Sequence, residues 1–342
     1  MSKIKTGICS YGMSGKLFHA PFINAHPGFN LYGVWERTKN LAAEKYPSIK
    51  TFRHLEDMLA DEAIDLVVVN TPSITHYEFA KKVLEANKHL VVEKPFTATS
   101  EEAKELAALA QAKGKLLSVY HNRRYDSDFK TVKKILATGL LGNIKEAAIC
   151  YDRFIPALSS KPHKEAPTPA VGIVYDLGSH LIDSALQLFG KPEAVFADIF
   201  RMRENTLVDD YFDLLFYYPH FRVRLKASFF AKEPAGFIIH GSKGSFIKSR
   251  SDIQETSLQA GVNPATGNWG TEPETAWGLL NTENGIQKIK SEPGNYFDYY
   301  EAIYQALLFN KPLPVKAEEA ATVIAIIEAA YKSSNEKKVM VI

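Results

Sequence analysis

Cysteine is scarce in this sequence: its 342 residues include only two, Cys9 and Cys150. The two stand far apart, so they form neither the closely spaced pair of a metal site nor a disulfide framework. Such sparing use of cysteine is typical of chains that fold in a reducing compartment. We therefore expect a cytoplasmic protein with no metal site and no structural disulfide.

Long hydrophobic runs and an excess of either charge are also missing. No apolar stretch approaches the ~20 residues that a membrane helix needs, and the N-terminus lacks the apolar core of a signal peptide. Lys and Arg number 41 against 39 Asp and Glu, and no dense basic stripe is visible, which argues against a nucleic-acid partner. With 46% hydrophobic and 23% charged residues, the composition is that of a globular protein with no membrane partner.

The first third of the chain alternates strand patterns with helix patterns. Several strand patterns are continuous apolar runs, as expected for parallel strands buried on both faces. Strands are predicted at 3–10, 29–36, 63–72, 88–95 and 115–124, and helices at 13–25, 75–87 and 99–114, the last with Ser100 as its N-cap. Repeated units of this kind predict a doubly wound parallel sheet in an α/β domain, which we place at 1–122.

The pattern changes from residue 123 onwards. Strand patterns now follow one another at 145–154, 193–202, 210–218, 221–230 and 236–249. Long strands without intervening helices predict a large, open, mostly antiparallel sheet, here in an α+β domain over 123–342. Helices are predicted at 126–138, 176–189 and 316–334, and loops at 155–173 and over most of 258–295. We expect the last helix to pack back near the domain junction.

The stretch "GICSYGMSG" (7–15) follows the first strand and resembles a glycine-rich dinucleotide loop. Such a loop needs glycines for a tight turn, for close approach to the pyrophosphate and for close helix–strand packing. Gly12 and Gly15 have the spacing of the second and third glycines, whereas Ser10 replaces the first. Its Cβ is tolerable if φ is negative, and its hydroxyl is a possible phosphate donor. The alternative is an ordinary turn before a helix.

The end of the second predicted strand carries an acid and two bases. Glu36 lies 24 residues after Gly12, the spacing of the acid that binds the adenosine ribose. Arg37 and Lys39 follow immediately, and an Arg at this place can hold a 2′-phosphate or stack on adenine. The cofactor is therefore NAD or NADP, and this choice stays open.

Two further motifs carry reactive side chains. "VVEKPFT" (91–97) places Lys94 at a strand end, the edge where ligands bind in doubly wound sheets, and Thr71, Pro72 and His76 end the preceding strand at the same edge. In "YDLGSHLID" (175–183), a helix would put Asp176 and His180 on one face, where the acid can orient the imidazole as a general base. Solvated or packed side chains are the alternative for each.

A fourth motif, "HNRRYDSDF" (121–129), lies at the expected domain junction. Its His121, Asn122 and Arg123 are candidates for lining a cleft there. A salt-bridged hinge is the alternative, and we favour it for Arg124.

These motifs, in this order, resemble those of the Gfo/Idh/MocA oxidoreductases over essentially the whole chain. "SYGMSGKLFHAPF", "NRRYD" and "HGSKGSF" are similar to the inositol and related sugar or polyol dehydrogenases within that family. The resemblance implies an N-terminal Rossmann domain and a C-terminal α/β domain whose open sheet joins subunits into homo-oligomers. It implies these catalytic residues: Lys94, Asp176 and His180. It implies these residues around the cofactor: Ser10, Tyr11, Gly12, Met13, Gly15, Glu36, Arg37, Thr71, Pro72, His76, Glu93, Lys94 and Asn122. The substrate would meet Lys94, Asn122, Arg123, Asp176 and His180.

The implied activity is hydride transfer between NAD or NADP and a sugar, inositol or related polyol. We expect His180 to act as the base, oriented by Asp176, and Lys94 to stabilise the reacting oxygen. Lys94 as the proton-transfer group is the alternative. A nucleotide-sensing protein without catalysis is the main competing function, and it would be expected to have lost Lys94 or His180. An oxidation–elimination route with a recycled cofactor is a third.

Overall fold

The computed structural model describes residues 3–232, 236–267 and 269–342, without the side chain of His163. The chain divides into two compact units, each made of three segments. The first unit consists of Met1–Asn122, Gln254–Trp269 and Asn295–Ala321, and the second of Arg123–Ile253, Gly270–Gly294 and Thr322–Ile342. The first break follows Asn122, whereas two later segments group with the first unit, which the sequence patterns did not indicate.

The first unit is built on a parallel sheet. In the part of the chain that the structure describes, six strands have the order β3-β2-β1-β4-β5-β6, and every pair is parallel. This is the order of a doubly wound sheet, as predicted. The strands are β1 Ile4–Ile8, β2 Phe29–Trp35, β3 Lys50–Phe52, β4 Leu66–Val69, β5 His89–Val92 and β6 Leu117–Val119. All four residues of β4 are buried, as expected for a strand covered on both faces.

Helices connect and cover the strands. They are α1 Ala20–Ala25, α2 Leu41–Lys45, α3 Leu55–Ala60, α4 His76–Glu85, α5 Ser100–Ala112, α6 Ser127–Thr138, α7 Ser179–Phe189, α8 Gln254–Gln259, α9 Phe297–Phe309 and α10 Ala317–Glu336. None of the helices in the described ranges is long and apolar enough to span a bilayer. The predicted N-cap of α5 was wrong by one residue: Thr99 caps it, and with Glu102 it forms a capping box that satisfies two amides.

The second unit is built on a mixed, mostly antiparallel sheet, as predicted. Within the described residues its order is β14-β13-β12-β11-β7-β10-β9-β8-β15, and only β7 and β10 run parallel. The strands are β7 Ile144–Cys150, β8 Ala194–Phe200, β9 Tyr211–Tyr217, β10 Arg222–Ser228, β11 Phe237–Gly241, β12 Gly244–Lys248, β13 Gly278–Thr282, β14 Gly285–Ile289 and β15 Met340–Val341. In β9 buried residues alternate with less buried ones, because only one face of this sheet is covered.

Two predictions for this unit were wrong. The single strand predicted at 236–249 is the hairpin of β11 and β12, whose register pairs Phe237 with Lys248. The loop predicted over most of 258–295 contains the hairpin of β13 and β14. The exposed residues of β14 lack the apolar alternation that identifies a strand, so its pairing with β13 decides its conformation.

Candidate functional site

The loop after β1 has the geometry that a dinucleotide loop requires. Ser10 is not among the described residues with a positive φ, so its Cβ is accommodated. Its Oγ accepts a hydrogen bond from the main-chain N–H of Gly12 at 3.2 Å, which leaves the hydroxyl proton free to be donated. A helical turn begins at once, because the N–H of Lys16 donates to the Gly12 carbonyl at 2.9 Å.

The two glycines of this loop differ in what surrounds them. A Cβ on Gly15 would lie 2.1 Å from the Ser10 carbonyl oxygen, a contact that no side chain can make. A Cβ on Gly12 would meet only Ser10 Oγ, at 3.4 Å. Gly15 is therefore required for close packing inside the loop, whereas the space above Gly12 is open to a ligand.

Asn70, which follows β4, holds the loop from the neighbouring strand. Its Nδ2 donates to the Ser10 carbonyl at 2.8 Å and to Ser14 Oγ at 3.3 Å. Its side chain is buried, and Oδ1 has no hydrogen-bond partner among the described residues. Asn70 was not among the predicted site residues, although its place at the end of a buried strand, beside "TPSITH", is a signal for such a role.

His76 joins the ends of β4 and β5. Its Nδ1 lies 2.8 Å from the Pro95 carbonyl and its Nε2 lies 2.9 Å from the Thr71 carbonyl. Burial lowers the pKa of His76, although the two carbonyl acceptors oppose that effect. Thr71 Oγ1 is itself 2.7 Å from Thr75 Oγ1. These hydrogen bonds of His76 and Thr71 hold the segments that follow β4 and β5 together at the sheet edge.

Glu36, at the end of β2, makes local contacts. Its two carboxylate oxygens accept the main-chain N–H groups of Leu41 at 3.2 Å and Ala42 at 3.0 Å, and the residue is 8% exposed. The carboxylate therefore caps the start of α2, where negative charge is favourable. Arg37, the next residue, is exposed.

The loop that carries Arg37 and Lys39 is held by Arg53. The Arg53 guanidinium donates to the carbonyls of Glu36 at 2.8 Å and Lys39 at 2.7 Å, and to Asn40 Oδ1 at 2.6 Å. Lys39 is exposed like Arg37. The side chains of Arg37 and Lys39 therefore extend from a main chain that Arg53 holds in place, beside the Glu36 carboxylate.

Around the loop, Tyr11 packs edge-on against Tyr46 with ring centroids 6.4 Å apart, and Met13 is half exposed. Burial raises the pKa of Tyr11, and the nearby charge of Glu36 adds to that rise. Asn122 is buried at the start of a short 3-10 turn.

Lys94 lies two residues after the end of β5, and its peptide bond to Pro95 is cis. The main-chain N–H of Lys94 donates to Glu93 Oε2 at 3.0 Å. Glu93 Oε1 lies 2.9 Å from Nε2 of His19, whose Nδ1 lies 2.6 Å from the hydroxyl of Tyr300. His19, which stands in the quoted "FHAPF" stretch, was also absent from the predicted site residues.

In the second unit, Asp176 and His180 lie on consecutive helical turns. Asp176 belongs to a π-helical turn over Val174–Gly178, and His180 to the first turn of α7. The helix predicted at 176–189 therefore begins two residues earlier, and its first turn is a wider π-helical turn. His180 is buried. Asp176 is about half exposed, and its Oδ2 lies 3.3 Å from Lys164 Nζ.

Asp209 anchors the start of this π-helical turn. Its Oδ2 accepts the N–H of Val174 at 2.9 Å, and its Oδ1 accepts the hydroxyl of Tyr331 at 2.7 Å. Gly172 has φ of 107°, and a Cβ there would lie 2.3 Å from Asp209 Oδ1. Close approach and backbone conformation thus both call for glycine at 172.

Comparison with known proteins identifies the family. The model of the oxidoreductase family with an NAD-binding Rossmann fold matches residues 4–121, and that of its C-terminal alpha/beta domain matches residues 133–342. The chain belongs to the Gfo/Idh/MocA oxidoreductases.

Two relatives support this assignment, and a more distant structure shares the fold. The chain is 40% identical to scyllo-inositol 2-dehydrogenase (NADP(+)) IolW of Bacillus subtilis, over 99% of this chain and 96% of that one. The solved structure of yvaA from Bacillus subtilis, 39% identical, covers 100% of this chain and 99% of its own with a TM-score of 0.96. An Agrobacterium radiobacter oxidoreductase, solved with NAD⁺, L-tartaric acid and magnesium, covers 99% of this chain and 98% of its own with a TM-score of 0.83. At 15% identity it shows the shared fold alone.

The first unit of this Gfo/Idh/MocA protein fits the dinucleotide of its family. The open space above Gly12 and the glycine that packing requires at 15 lie at the carboxyl edge of the parallel strands. The N-terminal end of the helical turn after Gly12 is suited to an anion, because the first N–H groups of a helix have no partner within the helix. These features match a pyrophosphate group.

The two arginines of the "NRRYD" motif each form an ion pair in the second unit. Arg124 forms two hydrogen bonds with the Asp183 carboxylate, at 2.9 and 2.6 Å, which confirms the salt-bridge interpretation for this residue. Arg123 pairs with the buried Asp126 at 3.3 Å, and its guanidinium carbon lies 5.8 Å from the centroid of the Tyr151 ring.

Proposed function

We propose that this protein is an NADP-preferring oxidoreductase that interconverts CH–OH and C=O groups of an inositol or related polyol or sugar. The coarser activity, that of a Gfo/Idh/MocA oxidoreductase, follows from the family. The name of the Bacillus subtilis relative, a scyllo-inositol 2-dehydrogenase (NADP(+)), supports the finer one.

The observation that carries the NADP preference is the contact pattern of Glu36. NAD-binding domains use the acid at this place for the ribose hydroxyls. Here both oxygens of Glu36 already accept main-chain N–H groups, while Arg37 and Lys39 are exposed beside it. A 2′-phosphate suits such a pair of cations, because charge-assisted hydrogen bonds to phosphate are among the strongest in proteins.

The proposed roles of the reactive residues follow from what the oxidation of an alcohol requires. A bound nicotinamide would supply the hydride acceptor or donor for the carbon that carries the reacting oxygen. His180 takes the hydroxyl proton, and Asp176 orients its imidazole. Lys94 donates a hydrogen bond to the reacting oxygen and stabilises its developing negative charge. Lys94 as the proton-transfer group is the competing assignment.

The remaining predicted site residues would contact the cofactor or the substrate. Ser10, Gly12, Met13 and the loop amides would contact the pyrophosphate, with Tyr11, Thr71, Pro72, His76, Glu93 and Asn122 around the nucleoside and nicotinamide. Asn122 and Arg123 would meet the substrate. Homo-oligomers through the open sheet of the second unit and a cytoplasmic location remain predictions from the family resemblance and from the cysteine content.

The cofactor preference is tested with Arg37→Ala and Lys39→Ala. Each should lower kcat/KM for NADP about tenfold or more, the value of one charge-assisted hydrogen bond, and leave kcat/KM for NAD nearly unchanged. Lys113→Ala is the matched control, because Lys113 is an exposed cation at the far end of α5. Equal losses for the two cofactors, or a wild type that prefers NAD, would refute the preference.

The catalytic assignment is tested with His180→Ala on a polyol and sugar panel. Loss of a positioned general base should lower kcat about 10²- to 10⁴-fold, with an unchanged dissociation constant for NADP. Binding of NADP without turnover by the wild type across the panel would instead support the nucleotide-sensing alternative.

A further inference from the structure

A chain of buried polar groups runs behind Lys94 inside the first unit. His19 ends the π-helical turn over Gly15–His19 and is fully buried. The Tyr120 ring packs against its imidazole at an interplanar angle of 54°, with centroids 4.6 Å apart. Its two nitrogens reach Glu93 at 2.9 Å and Tyr300 at 2.6 Å. The groups come from the first loop, from the end of β5 and from α9.

The directions of these hydrogen bonds follow from the chemistry of the groups. An ionised carboxylate only accepts, so Nε2 of His19 carries a proton and donates to Glu93 Oε1. In the neutral ring, Nδ1 is then an acceptor, and the hydroxyl of Tyr300 donates to it. Burial raises the pKa of Tyr300, and the neighbouring phenols Tyr120 and Tyr299 add to the rise, so the phenol keeps the proton that it donates.

Glu93 connects this chain to Lys94. One carboxylate oxygen accepts the His19 proton, and the other accepts the main-chain N–H of Lys94 at 3.0 Å. Because both oxygens are engaged, the carboxylate cannot rotate without losing one contact. The orientation of Glu93, and therefore the start of the Lys94 backbone, depends on the His19 donor.

We propose that His19 is a positioning residue for the reaction, which acts through Glu93 on the placement of Lys94 and keeps a negative charge beside its ammonium. Tyr300 supports the same arrangement by fixing the tautomer of His19. This inference rests on the proposed function, because it assumes that Lys94 acts on the substrate.

The pKa of Glu93 distinguishes a positioning role of His19 from a role in packing alone. Burial raises the pKa of Glu93, but the hydrogen bond from His19 and the positive charges nearby, that of Lys94 among them, outweigh burial, so that the pKa ends below its usual value. Tyr300 is a further titratable group that faces this carboxylate. Without the His19 donor, burial should raise the pKa of Glu93. Activity should then be lost at a higher pH as the solution is acidified.

Two substitutions at 19 separate the two contacts of the ring. His19→Gln can keep an N–H near the position of Nε2 and so keep the bond to Glu93. His19→Asn has its polar atoms near the position of Nδ1 and so loses Glu93. We expect His19→Asn to lower kcat/KM between about tenfold and a hundredfold, as misplaced reactive groups do, and to move the acid limb of the pH profile upwards. His19→Gln should restore most of both.

The ionisation of Glu93 can also be read without turnover. In the apoprotein labelled with ¹³C at glutamate carboxyl groups, the signal missing from Glu93→Gln identifies Glu93, and its titration should move to higher pH in His19→Asn but not in His19→Gln. Tyr300→Phe, which keeps the His19–Glu93 contact, should give a smaller shift in the same direction and serves if His19→Asn does not fold.

The outcomes separate the two proposals. An unchanged Glu93 titration in His19→Asn and Tyr300→Phe, or equal activity and acid limbs for His19→Asn and His19→Gln, would overturn the role of His19. A wild type that binds NADP but turns over no substrate would count against the proposed function, and the titration would still test the His19–Glu93 link.

Discussion

The two glycines of the first loop allow a prediction that separates packing from cofactor binding. In Gly15→Ala, the new Cβ would lie 2.1 Å from the Ser10 carbonyl oxygen and 3.1 Å from Asn70 Nδ2. Real Cβ contacts stay above 3.0 Å, so the loop has to open by about 0.9 Å. In Gly12→Ala, the Cβ meets only Ser10 Oγ at an ordinary 3.4 Å.

The expected magnitudes follow from these contacts. Overpacking of this kind costs about 1–3 kcal/mol, and opening the loop also weakens the bond from Asn70 to the Ser10 carbonyl, for about 0.5–1.5 kcal/mol. Gly15→Ala should therefore lower the free energy of unfolding by about 2–4 kcal/mol. Gly12→Ala should change it by less than about 0.5 kcal/mol, as other substitutions without a clash do.

Urea denaturation measures the stabilities, and calorimetric titration with NADP measures the binding. Both variants should bind NADP at least tenfold more weakly, Gly15→Ala because the loop is displaced and Gly12→Ala because its methyl group occupies the space of the pyrophosphate. Wild-type NADP affinity in Gly12→Ala would refute the placement of the pyrophosphate there. Wild-type stability in Gly15→Ala would refute the packing argument.

Three further predictions concern stability and reactivity. Lys248 and Glu272 form an ion pair at 2.8 Å with both side chains fully buried. Glu272→Ala should therefore lower the free energy of unfolding, measured by urea denaturation, by about 3–5 kcal/mol, because it leaves the buried ammonium of Lys248 without its counter-charge. Tyr331→Phe should cost about 1–3 kcal/mol at neutral pH, since it leaves Asp209 Oδ1 without that donor. Burial already raises the pKa of Asp209, and the Tyr331 bond lowers it, so the loss should shrink at acid pH as the carboxyl group protonates. Burial also raises the pKa of Cys9, which should resist iodoacetamide until urea unfolds the protein.

Strand patterns sufficed to find β1, β2, β4, β5 and β6, because parallel strands buried on both faces have continuous apolar runs. They failed where a contact rather than a pattern decides the conformation. The hairpin within 236–249 turns at Ser242, whose main-chain N–H donates to the Asn143 carbonyl at 2.9 Å. Nothing in the local sequence shows that contact, since its partner is about a hundred residues away.

The sequence by itself determined the chemistry that this protein has available: a glycine-containing loop after a strand, "EKP" at a strand end, and an acid and a histidine four residues apart. Residue type and spacing carry such information, because reactivity and helical periodicity are local. The tertiary structure alone decided what each group contacts. It turned Glu36 towards the amides of α2 and placed Asn70 against Ser10. It also buried His19 between Glu93 and Tyr300, although Tyr300 lies 281 residues further along the chain. The contacts of Asn70 and His19 depend on the folding of distant segments onto one sheet edge, and no short stretch of sequence specifies them.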